Sequence, residues 1–543
     1  MKTQIFKTFA ILLMAILAGC ATETTQEDDI MKEKLNKFEE VTLSTDLSWL
    51  SESEREIIAI LIDVADIMDE IYWTQTYGDK DELMAGIDNE YAKKYAMIHY
   101  GPWDRLDNNI SFIEGIGEKP AMAQFYPQDL TVEEFEAWDN PDKKSLYTLV
   151  RRDDEGNLIS VPYSVAYKEK HEKAAGLMRK AAALAEDEGL KNYLEARADA
   201  LLNDEYQKSD FAWMLMTESN IDFVVGPIEN YEDALFGYKA AHESFVLVKD
   251  PEWSAKLAKF TAMLPDLQRG LPVAEEYKAE MPGTDSDMNV YYALYYGGDC
   301  NAGSKTIAIS LPNDPEIHIA IGTRKLQLKN SMQAKFERIL SPIANMLIDE
   351  SQRQHITFNA FFENTTFHEV AHGMGVKNTI NDNIPVRVAL KEQYSALEEA
   401  KADIMGLYLV TRLYEMGELD SGEVMDNYVT FFAGIFRSSR FGAASAHGKA
   451  NMFNMKYFAD RDAFVYQDDN TYKVNFEEMK AAVYSLVERI LTVQGDGDYE
   501  AAKLWIESDG IMTDELSRDL ERVNSAGIPL DIVFKQGKDV LGL

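Results

Sequence analysis

Hydrophobic positions recur at helical spacing from Leu50 to about Trp73. There Ile57, Ile58, Ile60, Leu61, Val64, Ile67 and Met68 share a stripe behind a Ser-rich start with acids in the first turn. The pattern predicts an amphipathic helix. Residues 168–214, rich in Ala, Leu, Glu and Lys and interrupted by Gly176 and Gly189, predict further long helices. Between Ile221 and Lys249, and again from Val290 to Leu328, short apolar and β-branched runs (FVVG, TIAISL, HIAIG, LQL) separated by Gly, Pro and Asn predict strands. They are too few and too scattered for a doubly wound sheet, so a small sheet or barrel carrying helices is expected. From Ser331 the helical period returns through Phe336, Ile339, Leu340, Ile343, Met346 and Leu347, with Pro342 expected to kink it. FNAFFE, residues 358–363, reads as a strand, after which Asn364 or Thr365 caps a helix ended by Gly373 and Gly375. No repeat with a period of about 20–50 residues and no heptad run is present. The expected class is α+β, predominantly helical.

The helix beyond FNAFFE carries TTFHEVAHGMG, which holds two of only eight histidines among 543 residues. On a helix, His368 and His372 project from one face at i, i+4 and can grip one ion with Glu369 beside it. Catalytic zinc takes three protein ligands and leaves its fourth position to water, so two histidines need a partner. In KEQYSALEEAKADIMGLYLV, Glu399 is the candidate third ligand, and an antiparallel return of the chain would deliver it. Glu398 and Asp403 would then accept from the imidazole N–H groups and set their tautomer. Glu369 is placed to take a proton from water and pass it to a leaving amine, which is the chemistry of peptide-bond hydrolysis. Taken alone, Glu398, Glu399 and Asp403 are an exposed acidic helix face; their order and distance after HEVAH give them meaning.

Length points to two to four domains or a large two-lobed enzyme. A net charge of −39, from 54 basic and 93 acidic side chains, repels phosphates and excludes nucleic acid as a partner class. The N-terminus, MKTQIFKTFAILLMAILAGC, has two lysines, an apolar run and a small-residue ending, the pattern of a signal peptide over residues 1–19. It resembles a bacterial lipobox, with Cys20 as the lipidated residue. Residues 20–45 read as a flexible acidic tether. Only Cys300 then remains, so no internal disulfide forms; it reads as a small buried filler rather than a reactive thiol.

With these motifs in place the chain resembles the dipeptidyl peptidase III family of zinc metallopeptidases. EEAKAD is similar to that family's second motif, a Glu-Glu pair followed by Cys-Arg-Ala-Glu. HEVAH departs from the usual first motif by lacking one residue between the histidines. The resemblance, running from about residue 200 to 460, implies two lobes flanking a cleft, a helical zinc-binding lobe and a mixed one with a small sheet or barrel. It also implies one Zn(2+) per chain and short peptides as substrates. NIDFVVGPIENYEDALFGYKAAHESFV looks like the segment in which Glu229 would bind a peptide's free amino group and Tyr231 would polarise the scissile carbonyl. SAHGKANMFNMKYF is similar to a later helix whose histidine, here His447, would stabilise the transition state. Four residues on, the family usually has arginine and this chain has Asn451.

The expected organisation is a mixed lobe over 46–330, a helical catalytic lobe over 331–510 and a C-terminal segment, 511–543, returning to the first lobe. The expected activity is zinc-dependent release of dipeptides from the N-terminus of short peptides by an outer-membrane lipoprotein, held by a lipid anchor at Cys20 and facing the periplasm or the cell surface. An endopeptidase or aminopeptidase with the same metal site, and a non-catalytic peptide-binding lipoprotein, are the alternatives; Glu369 argues against the last because no structural zinc site requires that acid.

Overall fold

Ser51 opens the first long helix with a capping box. Its Oγ accepts from the Glu54 backbone N–H while the Glu54 carboxylate accepts from Ser51 N–H. The computed structural model describes residues 26–282, 287–442 and 445–543. The signal segment 1–19 and Cys20 lie outside them. Helix α1 is Gln26–Leu35 and strand β1 is Phe38–Thr42, so the tether expected over 20–45 is corrected from Gln26 onward. Acidic composition there hides two apolar anchors, Met31 and Phe38, both buried in the first core.

The N-terminal lobe is built on α2 (Glu52–Thr76), α3 (Lys168–Leu184) and α4 (Glu188–Asn203), packed around a five-stranded sheet. Its strands are β2 (Ile221–Glu229), β3 (Ala241–Lys249), β4 (Asp287–Gly298), β5 (Ala308–Leu311) and β6 (Arg324–Leu328), in the order β2-β3-β4-β6-β5. Only the β4–β6 pair is parallel. β2 and β3 are buried along most of their length, hence the unbroken apolar stretches Phe223–Val225 and Phe245–Val248 rather than alternation. The sheet curls: buried Arg324 of β6 reaches Asp222 of β2 at 3.2 Å, although two strands lie between them. The segment HIAIG is not a strand. Asp314 accepts from the N–H groups of Glu316 and Ile317 and caps a helix over Pro315–Ile321, and a capped Pro start overrides β-propensity.

The second core collects the C-terminal helices together with α5 (Pro251–Arg269), whose Trp253, Leu257, Phe260 and Leu264 point into it. Residue 330 therefore does not divide the two cores. Ahead of Pro342 the chain passes through one π-helical stretch, Phe336–Leu340, closed by Ser341 N–H donating to the Phe336 carbonyl, next to the position where proline has no N–H to give. FNAFFE is helix: α6 runs Phe358–His372, with Thr357 Oγ1 accepting from Ala360 N–H. Phe361, Phe362 and Phe367 are all buried. A helix apolar on several faces has no amphipathic period to read, which is why it passes for a strand. The second lobe continues with α7 (Tyr394–Glu415), α8 (Val424–Ser439), α9 (Ala446–Ala459) and α10 (Phe476–Asp496). At the C-terminus β7 (Asp531–Lys535) pairs in parallel with β1, Phe38 opposite Asp531.

Candidate active site

Helices α6 and α7 run antiparallel. Glu363 faces Tyr414, His368 faces Asp403 and His372 faces Glu398. Gly406 allows their close approach: a Cβ there would stand 2.9 Å from the His368 nitrogen and 3.1 Å from the Phe367 carbonyl carbon. One to two turns before Gly406 on α7, the carboxylates of Asp403, Glu399 and Glu398 reach the histidines.

His368 Nε2 and His372 Nε2 are 3.2 Å apart, and Glu399 Oε2 lies 3.4 Å from the first and 3.8 Å from the second. A tetrahedral zinc ion with bonds of about 2.0–2.1 Å holds its ligand atoms about 3.3 Å from one another, so this triangle is close to one face of that tetrahedron. His368 Nδ1 donates to Asp403 Oδ1 at 2.8 Å and His372 Nδ1 to Glu398 Oε1 at 3.1 Å. Those bonds fix the ring orientations so that both Nε2 atoms face inward. Glu399 Oε2 is buried without a hydrogen bond of good geometry, although three imidazole nitrogens lie within 3.8 Å. A buried carboxylate oxygen without a donor is costly, and a cation at the centre of the triangle satisfies it. The electrostatics agree. Burial opposes charge on His368, yet Asp403 and Glu399 raise it to about 10; burial likewise opposes charge on Glu399, and the imidazoles hold it well below the usual carboxylate range. The donor set, two imidazoles and a carboxylate, suits zinc.

The supporting residues go further than the motifs. Lys401, in EEAKAD at i+3 from Glu398, meets it at 2.7 Å and also donates to the Met374 carbonyl. That pair is readable as a helical ion pair. Gln494 donates to Glu398 and Asn454 to Asp403, and nothing local in the sequence signals either. Lys325 of β6 donates to the Glu369 carbonyl at 2.6 Å.

Glu369 and His447 line the same cavity as His368, about 480 Å³ in volume. His447, at the start of α9 behind the Ser445 cap, places Nδ1 3.0 Å from Glu399 Oε2, and its ring centroid is 6.0 Å from that of His368. Asn451 donates to the His447 carbonyl at 2.7 Å. Glu229 and Tyr231 are not brought into this cluster. Glu229 ends β2, half-buried and raised by burial, and Tyr231 beside it is 79% exposed; neither lines the cavity. Cys300 is buried, its Sγ 3.4 Å from the Ser244 and Gly297 carbonyl oxygens.

Comparison with known proteins adds to this geometry. The model of peptidase family M49 matches residues 139–382, a span that includes HEVAH but stops short of Glu399. The chain is 34% identical over 579 residues to Nudix hydrolase 3 of Arabidopsis thaliana, covering 94% of this chain and 74% of that protein. It is similar in structure to DPP III from Caldithrix abyssi, with a TM-score of 0.89, 38% identity, and 93% of this chain and 98% of the other covered. It is also similar to dipeptidyl-peptidase III from Corallococcus sp. strain EGB, with a TM-score of 0.78, 35% identity and coverage of 94% and 97%.

Proposed function

The chain belongs to the dipeptidyl peptidase III family, peptidase family M49, and from that premise we propose that this metallopeptidase uses zinc to release dipeptides from the N-terminus of short peptides. His368, His372 and Glu399 would hold the ion. The observation that carries the reading is their triangle around the orphaned Glu399 oxygen, with each Nδ1–H already committed to a carboxylate. When bound, zinc supplies Lewis acidity that makes water nucleophilic near neutral pH and polarises the scissile carbonyl.

Glu369 takes the proton from the attacking water and returns it to the leaving amine. It is free for this because its side chain is not among the three converging ligands, while Lys325 holds its carbonyl in place. His447, beside Glu399, donates toward the developing oxyanion, and Tyr231 does so from the other lobe once peptide is bound. Glu229 receives the free amino group. The similarity to two dipeptidyl-peptidase III structures favours dipeptide release, and the exopeptidase step needs the amine contact at Glu229. The signal pattern over residues 1–19 and Cys20 support a lipid-anchored protein of the outer membrane.

The test compares dipeptidyl arylamides with N-blocked versions, for the wild type and Glu369→Gln, with bound metal measured in both. The variant is expected to keep its metal and lose about 10²–10⁴-fold in kcat. A fully active variant would overturn the mechanism. Equal cleavage of blocked substrates would overturn dipeptide release and leave an endopeptidase with the same metal site.

A further inference from the structure

The metal cavity contains a cation that the reaction does not use. Arg437 of α8 lines it together with His368, Glu369, His447 and Asn451. Its guanidinium lies 5.8 Å from the centroid of the Phe361 ring, and its Nε is buried without a hydrogen-bond partner. Among the described residues Arg437 donates no hydrogen bond and forms no ion pair. A buried guanidinium N–H without an acceptor is unfavourable, and a planar fork of this kind is matched by a carboxylate.

The surroundings have the same sign. Lys305 lines the cavity too, and Lys335 and Arg440 lie close behind. The acid acting on Arg437 is Asp531, which is already bound by Lys335 at 2.9 Å and by the Ser304 hydroxyl. The acids that line the cavity, Glu369 and Asp403, sit at its His368 end, whereas around Arg437 the basic groups outnumber the one acid acting on it, in a chain of net charge −39. Burial, the larger influence on Arg437, pushes it below its ordinary value despite Asp531, as expected of a cation short of counter-charge. Asn451, four residues after His447, is turned to the His447 carbonyl and supplies no charge.

Phe361 precedes His368 by seven residues on α6, a rise of about 10 Å at about 1.5 Å per residue. Extended peptide covers that distance in about three residues at about 3.3–3.6 Å each. Resting on the peptidase reading above, we propose that Arg437 receives the substrate's C-terminal carboxylate, so that the enzyme selects short peptides with about three residues beyond the cleaved bond.

The experiment uses the metal-loaded enzyme and three matched pentapeptides with the scissile bond after the second residue. One ends in a free carboxylate, one in an amide, and one is an amide with Glu in the last position. The wild type is expected to favour the free acid over the plain amide by about 10–100-fold in kcat/KM, mostly through KM. In Arg437→Met that ratio falls to near one, and Arg437→Lys restores part of it. Because each variant is compared with itself, partial misfolding cancels. Equal use of acid and amide by the wild type, or an unchanged ratio in Arg437→Met, overturns the proposal. Preference for the Glu-bearing amide alone also overturns it, by assigning Arg437 to a side chain. Failure of the wild type on dipeptidyl arylamides, by contrast, would count against the dipeptidyl-peptidase reading itself.

Discussion

Gly406→Ala tests whether helix approach sets the metal site. On helix propensity alone the change should stabilise α7 by up to about 1 kcal/mol. The packing says otherwise. The new methyl would stand 2.9 Å from His368 N, 3.1 Å from Phe367 C and 3.3 Å from His368 Cα, against an ordinary separation of about 3.5–4.0 Å. All three are backbone atoms, so no side chain can swing aside and the helices must part by roughly half an ångström. Overpacking of this kind costs about 1–3 kcal/mol, giving a net loss of about 0–2 kcal/mol in the metal-free protein. The larger effect falls on the site, because Glu399 and Asp403 ride on α7 while both histidines ride on α6. Metal-ligand distances tolerate only about 0.2 Å, so zinc affinity should fall by more than tenfold. Chelator competition reads the affinity, and urea unfolding of the metal-free protein reads the stability. A variant that gains about 1 kcal/mol and binds zinc within twofold of the wild type would refute the argument.

Other outcomes follow from the same structure. Asp403→Ala removes the acceptor of His368 Nδ1–H and should lower zinc affinity by about 10–100-fold with little change in fold, measured by metal titration beside far-UV circular dichroism. Acid stability should depend on the buried His171–His242 pair, whose Nε2 atoms are 3.0 Å apart. Burial lowers His171 to about 4 and His242 well below its ordinary value, so the unfolded chain binds the extra protons. The stability they contribute is full above about pH 6.5 and is lost as pH falls toward 4, with His171 alone accounting for about 2 kcal/mol at pH 5. Urea unfolding of the chelator-treated protein at pH 7.5 and 5 should show this loss, and His171→Gln should reduce it; identical pH dependence in the variant would refute the assignment.

Where the histidines and Glu399 would meet was legible because i, i+4 spacing is a local property of a helix, and the antiparallel return needs only a short connection. FNAFFE and HIAIG were misread for related reasons. The first lies in a helix buried on several faces, so its hydrophobic pattern has no period; the second owes its helix to an Asp cap and a proline at the start. The acidic stretch 26–42 was misread because composition averages over Met31 and Phe38, and two buried side chains suffice to dock it.

By itself, then, the sequence determined the elements whose signal is local: the capped helix after Ser51 and the pairing of HEVAH with EEAKAD. Only the tertiary structure decided what depends on residues far apart in the chain. Gly406 matters because another helix's backbone lies against it, Gln494 and Asn454 because they complete carboxylates about 50–100 positions away, and Arg437 because, among the described residues, the fold leaves it without a hydrogen-bond partner in the cavity that His368 lines. A glycine, an amide or an arginine carries no mark of its neighbours, and close packing assigns them only when the chain is folded.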